Sequence, residues 1–245
     1  MTRWIRFSLV SVLAVLVISH GMVASGADPV PVVYAVAPVA ASGTVTGVVT
    51  TDQPGTTTAM PVTQDGAVCG VNVPDPSVIV TDKKLANAVV WIDGLASGAA
   101  TVPVEATLDQ RTCIYAPHVQ AAAKGSKLTV INSDPVLHNA HSTLDGTRTV
   151  FNLAMPTKDQ RITTDLRRAG LMSVKCDAGH TWMSAYIWVF DHPYFAVTGA
   201  DGSFSIAGVP AGDHTLRVWH EQLGVRDVPV TVLANGTVKM AVNIP

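Results

Sequence analysis

Apolar and polar residues alternate with a period of two along most of the chain beyond residue 41. Residues 228–232 and 238–244 show the alternation most clearly, with valine, methionine or isoleucine at every second position. Short runs rich in β-branched and aromatic residues recur at 44–50, 86–94, 128–132, 171–176 and 186–190. No segment keeps the helical period of 3.6 residues, so the pattern predicts an all-β fold class with at most short helical turns.

Two turn dipeptides divide the C-terminal region. Asp201 with Gly202, and Asn235 with Gly236, favour tight turns that join neighbouring antiparallel strands. Pro229 has no N–H group to donate to a neighbouring strand, which predicts an edge strand around it. We therefore expect this region to form a half-buried antiparallel sheet.

The N-terminus has the pattern of an export signal. Arg3 and Arg6 precede an apolar run at 7–22, and small residues follow at 25–27. This order predicts a cleaved signal peptide over 1–27, although an uncleaved membrane anchor has a similar pattern. No later run is apolar for long enough to cross a bilayer, so we expect a periplasmic or secreted protein with no stable membrane span after cleavage.

The charge of the chain excludes one class of partner. The 245 residues carry a formal net charge of −2, and removal of Arg3 and Arg6 with the signal peptide leaves −4. A mildly acidic chain has no basic surface for nucleic acid, so we expect none as a partner. The length suits one large or two small β domains.

The chain contains three cysteines, an odd number. Exported proteins usually pair their thiols. Cys69 and Cys113 have no histidine at ligand spacing nearby, whereas Cys176 does, so we expect a disulfide between Cys69 and Cys113. Cys176 is then either a metal ligand or a buried free thiol.

The most informative residues are Cys176, His180 and Met183, with His138 upstream. Cys176 ends a predicted strand, His180 lies in the following loop, and Met183 begins the next strand. Two His, one Cys and a weak Met form the ligand set of a mononuclear electron-transfer copper site. Met183 could instead be a core residue. His141 is a rival to His138, but a residue three positions along a strand points to the opposite face.

Residues 101–190 resemble a cupredoxin, the small blue-copper Greek-key β-sandwich. The resemblance rests on the strand at 124–130, on His138 with Asn139, and on the Cys176, His180 and Met183 loop, which follow the order of that family. It implies one type 1 copper ion, and hydrogen bonds from Asn139 between the ligand loops.

The ligand loop also departs from the family. Many single-copper cupredoxins have two or four residues between Cys and His, whereas three separate Cys176 from His180. Three residues resemble the second half of the dinuclear copper loop of cytochrome oxidase subunit two. A dinuclear centre needs a second cysteine where this chain has Met172, which argues for one copper.

A second resemblance covers the flanking segments. Residues 43–47, 85–91 and 199–216 resemble carboxypeptidase-regulatory-like (transthyretin-like) β-sandwich modules. In that family the three pieces follow one another closely, whereas residues 92–198 separate the last two here. We therefore predict an inserted domain, with a simple tandem arrangement as the alternative. The predicted segments are a linker at 28–42, a discontinuous sandwich of 43–100 with 191–245, and a copper domain at 101–190.

These observations predict an exported copper protein that carries single electrons and is not an enzyme. Its partner would be a redox protein such as a cytochrome or a dehydrogenase. A second hypothesis is copper capture, delivery or sensing, which would use the same ligands. A third hypothesis is a structural β-sandwich without a metal. An oxidase or reductase needs a second, open copper site, and the remaining histidines form no convincing second cluster.

Overall fold

The computed structural model describes Met1 and residues 33–245. Their fold is all-β, which confirms the predicted fold class. Among these residues the one helix, α1, spans Gly66–Cys69, and no helix is long and apolar enough to cross a membrane. The predicted signal peptide lies outside the described residues apart from Met1.

The strands fall into three consecutive stretches. The first contains β1 (Ala35–Val36), β2 (Ser42–Thr50), β3 (Met60–Pro61), β4 (Asn72–Val73), β5 (Val80–Thr81), β6 (Lys84–Leu85), β7 (Val89–Asp93) and β8 (Ser97–Gly98). The second contains β9 (Glu105–Arg111), β10 (Ile114–Ala116), β11 (Val119–Ala123), β12 (Lys127–Asn132), β13 (His138–Leu144), β14 (Arg148–Met155), β15 (Gln160–Asp165), β16 (Gly170–Lys175) and β17 (Ser184–Phe190). The third contains β18 (Phe195–Val197), β19 (Ser203–Pro210), β20 (Gly212–His220), β21 (Gly224–Val232) and β22 (Thr237–Asn243).

The middle stretch builds two sheets around one core. The strand orders are β10-β9-β12-β15 and β11-β17-β16-β13-β14. Fully buried side chains such as Leu108, Val130, Met172 and Ile187 fill the core. In the larger sheet β13 and β16 are antiparallel, with His141 opposite Lys175. The start of β13 and the end of β16 therefore lie at the same edge of the sheet.

The outer stretches share two further sheets. One has the order β18-β7-β20-β21, and the other has the order β19-β2-β6-β5 with β22 added beside β2. Their core includes Val45, Ile92, Leu216 and Val242. Strands before residue 100 thus pair with strands after residue 190. The predicted domain limits stay a prediction, and so does the resemblance of the outer stretches to the second family.

The two predicted hairpins are wrong. The strands around Asp201 and Gly202 do not pair with each other, because β18 pairs with β7 whereas β19 pairs with β2. After Asn235 and Gly236, β22 pairs with β2 in parallel and not with β21. Each turn carries the chain from one sheet to another, which lets the alternating apolar residues meet across a core. The predicted edge strand around Pro229 is confirmed, since β21 ends its sheet.

The predicted disulfide between Cys69 and Cys113 is present, and Cys176 is a buried free thiol. The disulfide joins α1 to the turn after β9 across a sequence separation of 44 residues. Closure of a loop of that length stabilises the fold by about 4 kcal/mol in the chain-entropy model. Cys69 and Val73 also pack in the core of the middle stretch, so the segment that contains α1 is attached to this core by packing and by a covalent bond.

We predict that Gly47→Ala destabilises the protein by about 2 kcal/mol, because overpacking a close contact typically costs this much. A Cβ atom at Gly47 would lie 2.7 Å from Cε1 of Phe204 and press on the carbonyl oxygen of Met240. Urea unfolding measures the change. Gly66→Ala is the control, since a Cβ atom there meets nothing within 4 Å. Equal stability of the two variants would contradict the prediction.

Candidate metal centre

The candidate ligands meet where two neighbouring strands end. His138 is the first residue of β13, and Cys176 follows the last residue of β16. His180 lies in the loop that leads to β17. All three side chains are buried, and their ligand atoms lie within 4.8 Å of one another. The antiparallel register of β13 and β16 therefore brings together residues that are distant in sequence.

The donor atoms converge at distances suited to one ion. His138 Nδ1 lies 3.0 Å from His180 Nδ1, and Cys176 Sγ lies 3.6 Å from His180 Nδ1. A first-row metal bonds imidazole nitrogen at about 2.0–2.1 Å and thiolate sulfur at about 2.3 Å. Donors that share an ion are consequently about 3 to 4 Å apart. The spacing fits a metal between the two rings and the sulfur.

The outer nitrogens of both rings face carboxylates. His138 Nε2 lies 3.0 Å from Asp134 Oδ2, and His180 Nε2 lies 2.9 Å from Asp65 Oδ2. An ionised carboxylate only accepts hydrogen bonds. The network therefore assigns the proton of each neutral ring to Nε2. Both Nδ1 atoms are left as lone-pair donors that face each other, beside one thiol.

Asp134 is a buried support that sequence reasoning missed. Its carboxylate accepts hydrogen bonds from the backbone N–H groups of Thr112 (2.9 Å) and Cys113 (2.8 Å) in addition to His138. It precedes His138 by four residues in a turn beside Pro135. Ligating histidines usually donate their second N–H to a carboxylate or carbonyl. An acid four residues before His138 could therefore have indicated this support in the sequence.

Asp65 is the second support that was missed. It immediately precedes α1 and reaches His180 across 115 residues of sequence. The residues around Asp65 in the sequence do not indicate this role, because the contact with His180 depends on where the disulfide holds α1. The segment that contains α1 therefore contributes directly to the candidate site.

Asn139 links the two ligand loops, as the family resemblance implied. Its backbone N–H donates to Cys176 Sγ over 3.3 Å, and its side-chain Oδ1 accepts a 3.2 Å hydrogen bond from the N–H of Asp177. Its own Nδ2 donates to Asn152. These bonds fix the sulfur relative to the strand that begins with His138.

Burial affects the pKa values of two candidate ligands, Cys176 and His138. Burial raises the pKa of the Cys176 thiol, and hydrogen bonds from the backbone of Ala178 and Asn139 act in the opposite direction. Burial also lowers the pKa of His138, against the hydrogen bond to Asp134. The metal-free centre therefore favours a neutral thiol and a neutral imidazole. Metal binding would release the thiol proton.

The remaining predicted residues occupy different places. Met183 is buried and its N–H donates to the carbonyl of His180 over 2.9 Å, but its role as a ligand stays a prediction. Met183 lies just before β17 instead of beginning it. The Trp182 ring stands edge-on to His180 at 5.1 Å. The rival His141 lies outside the cluster, where it pairs with Asp177 over 2.6 Å.

Comparisons with known proteins find matches among solved structures and none among family models or curated proteins. No family model matches the chain, and no curated protein matches it. Solved structures that match include a purple cupredoxin from Nitrosopumilus maritimus, with 20% identity over 35% of this chain and 99% of that one, at a TM-score of 0.31. Amicyanin from Paracoccus versutus is 18% identical over 35% of this chain and 81% of its own, also at 0.31.

A third match is an amicyanin mutant solved in its Cu(I) form, with 18% identity over 41% of this chain and 98% of its own, at a TM-score of 0.31. These three structures are a cupredoxin and two amicyanins, and each match covers less than half of this chain. At this identity and TM-score they carry no argument about function. What this chain does is therefore argued from its own residues.

We predict that Asp134→Ala destabilises the metal-free protein by about 3 kcal/mol, since it removes the acceptor of the buried Cys113 N–H, of the Thr112 N–H and of one ring N–H. Thermal or urea unfolding measures the loss. Asp177→Ala removes a carboxylate that is 54% exposed and should change stability by less than about 0.5 kcal/mol. If Asp134→Ala lost no more stability than Asp177→Ala, the prediction that Asp134 stabilises the site would be wrong.

Proposed function

We propose that the chain is a copper protein that carries single electrons. His138, Cys176 and His180 would hold one ion, with Met183 as a weak fourth ligand. The observation that carries the proposal is the pair of Nδ1 atoms 3.0 Å apart beside a thiol, with a carboxylate on the Nε2 atom of each ring. Two lone pairs at that distance repel each other, and a cation between them removes the repulsion.

The donor set favours copper over zinc. Thiolate, imidazole and thioether donors together suit copper, whereas a structural zinc site needs a fourth Cys, His or carboxylate. The two carboxylates beside the centre, Asp65 and Asp134, are engaged with the outer Nε2 atoms. Neither is a free fourth ligand. The fourth position is left to the thioether of Met183.

The burial of the ligands favours electron transfer over catalysis. His138 and His180 have no exposed surface and Cys176 is 4% exposed, so no open position faces solvent for a substrate. Copper, when bound, supplies a one-electron Cu(II)/Cu(I) couple. The hydrogen bonds of Asn139, Asp134 and Asp65 hold the donors in place in both states, which keeps the rearrangement small. A redox protein such as a cytochrome or a dehydrogenase is the proposed partner.

The same burial argues against copper delivery or sensing. A delivery protein must release its ion to a second protein, whereas here Asp65 and the loop around His180 cover the ligands. The proposal has two further parts. The protein is exported, with removal of residues 1–27. A copper domain at 101–190 is inserted into a sandwich formed by 43–100 with 191–245. The shared sheets of the two outer stretches support that insertion.

We predict that one equivalent of Cu(II) produces an intense visible thiolate-to-copper band in the metal-free protein. Cys176→Ser should abolish the band, because the charge transfer originates on the thiolate. His141→Ala is the matched control and should leave it unchanged, since His141 lies outside the cluster. Absorption and EPR spectra provide the measurement. Full copper loading without the band would refute the proposal.

We predict that Met183→Leu keeps the visible band and raises the reduction potential, because the thioether contributes weakly and stabilises Cu(II) more than leucine can. Voltammetry of the copper-loaded variants measures the potential. An unchanged potential and EPR spectrum would assign Met183 to the core and leave a centre of three ligands.

A further inference from the structure

The outward edge of His180 is covered by a segment from outside the middle strands. We define the tethered segment as residues 60–73, which contain β3, α1 and β4. Gln64 of this segment donates from Nε2 to the carbonyl oxygen of Ala178 over 2.9 Å, and Asp65 meets His180 Nε2. The loop that carries three of the candidate ligands is thus bound to the tethered segment at Ala178 and at His180.

Asp65 uses its side chain for this contact and not to cap the helix that follows it. It occupies the N-cap position of α1, where an aspartate side chain normally accepts a hydrogen bond from the helix. Here the side chain makes no capping bond, and the backbone is left-handed at φ 55° and ψ 33°. Both features disfavour the local structure, and the observed compensation is the carboxylate bond to His180.

The disulfide connects this contact to the other carboxylate support. Cys69 lies in the same turn as Asp65, and its N–H donates to the Asp65 carbonyl oxygen over 2.9 Å. Its partner Cys113 donates its N–H to Asp134 and accepts a 2.9 Å bond from the Trp182 indole. One covalent bond therefore joins the residues that orient His180 to those that orient His138.

We propose that the tethered segment is part of the metal centre, with Asp65 as the positioning residue for His180 and the Cys69–Cys113 disulfide as the bond that holds it in place. This inference rests on the proposed function. A carboxylate on Nε2 fixes the ring tautomer and makes Nδ1 a stronger donor. It also places a negative charge near the ion, which stabilises Cu(II) more than Cu(I).

The test compares Asp65→Ala and Asp65→Asn with Asp177→Asn. Asparagine at 65 keeps an acceptor for the ring N–H but removes the charge, whereas alanine removes both. We expect Asp65→Ala to weaken Cu(II) retention against a chelator by about tenfold or more, and Asp65→Asn to weaken it less. Both should raise the reduction potential.

Asp177→Asn is the matched control, because it removes one carboxylate beside Cys176 that contacts His141 instead of His180. Its Cu(II) retention should stay close to that of the parent protein, and its potential should rise less than in the Asp65 variants, because the Asp177 carboxylate is 54% exposed and contacts no candidate ligand. Equal behaviour of Asp65→Ala and Asp177→Asn in both measurements overturns the inference.

A double-mutant cycle tests the disulfide. Cys69→Ala with Cys113→Ala should reduce Cu(II) retention in the same direction as Asp65→Ala. Adding Asp65→Ala to that pair should cost little more, because coupled residues are not additive. Full additivity would show that the disulfide does not hold Asp65. If the cysteine variant fails to fold, the comparison of Asp65→Ala with Asp177→Asn decides alone.

A readout without copper separates this inference from the proposed function. The ¹⁵N and ¹H signals of the His180 ring in the metal-free protein should show a proton on Nε2, and Asp65→Ala should shift them while Asp177→Asn does not. Absence of the visible band in the parent protein refutes the proposed function. An unshifted His180 signal in Asp65→Ala refutes the positioning role, whether or not the band forms.

Discussion

The placement of two protons determines what the centre can do. Each ring nitrogen that faces outward donates to a carboxylate, His138 to Asp134 and His180 to Asp65. A neutral imidazole has one N–H, so the inward nitrogens are both acceptors. They nevertheless lie 3.0 Å apart in a buried site. A pair of like acceptors in a low-dielectric interior is costly unless something positive lies between them. Cys176 would supply the additional donor, and its thiol would become a negatively charged thiolate when metal binding released the proton.

The scaffold reaches this arrangement by joining parts that are far apart in sequence. The antiparallel register of β13 and β16 places His138 beside Cys176. The hydrogen bonds of Asn139 then lock the sulfur to β13. The Cys69–Cys113 disulfide brings α1 to the same edge and, through Cys113, to the carboxylate of Asp134. Each connection thus acts on the position of a donor atom without being a donor itself.

Much of this could be predicted from the sequence, and the failures have physical reasons. Alternation predicts the strands because a half-buried sheet needs it, and the odd cysteine count separates Cys176 from the disulfide. The turn dipeptides at Asp201 and Asn235 show that the chain reverses, but they do not specify which sheet receives the next strand. That choice depends on which apolar faces cover each other, a tertiary property. For this reason β22 pairs with β2 instead of β21.

The supports of the centre are harder to predict than the ligands because they break local rules. Ligand residues have a chemical identity that is visible in the sequence, as Cys176 and His180 show. Asp65 instead resembles an ordinary N-cap, yet it makes no capping bond and adopts a left-handed backbone. Local preference and observed structure disagree at this residue, and such disagreements concentrate at functional sites. A sandwich that needed only stability could replace the two carboxylate–histidine pairs by apolar side chains without loss. The presence of both pairs around one thiol is consistent with the metal centre proposed above.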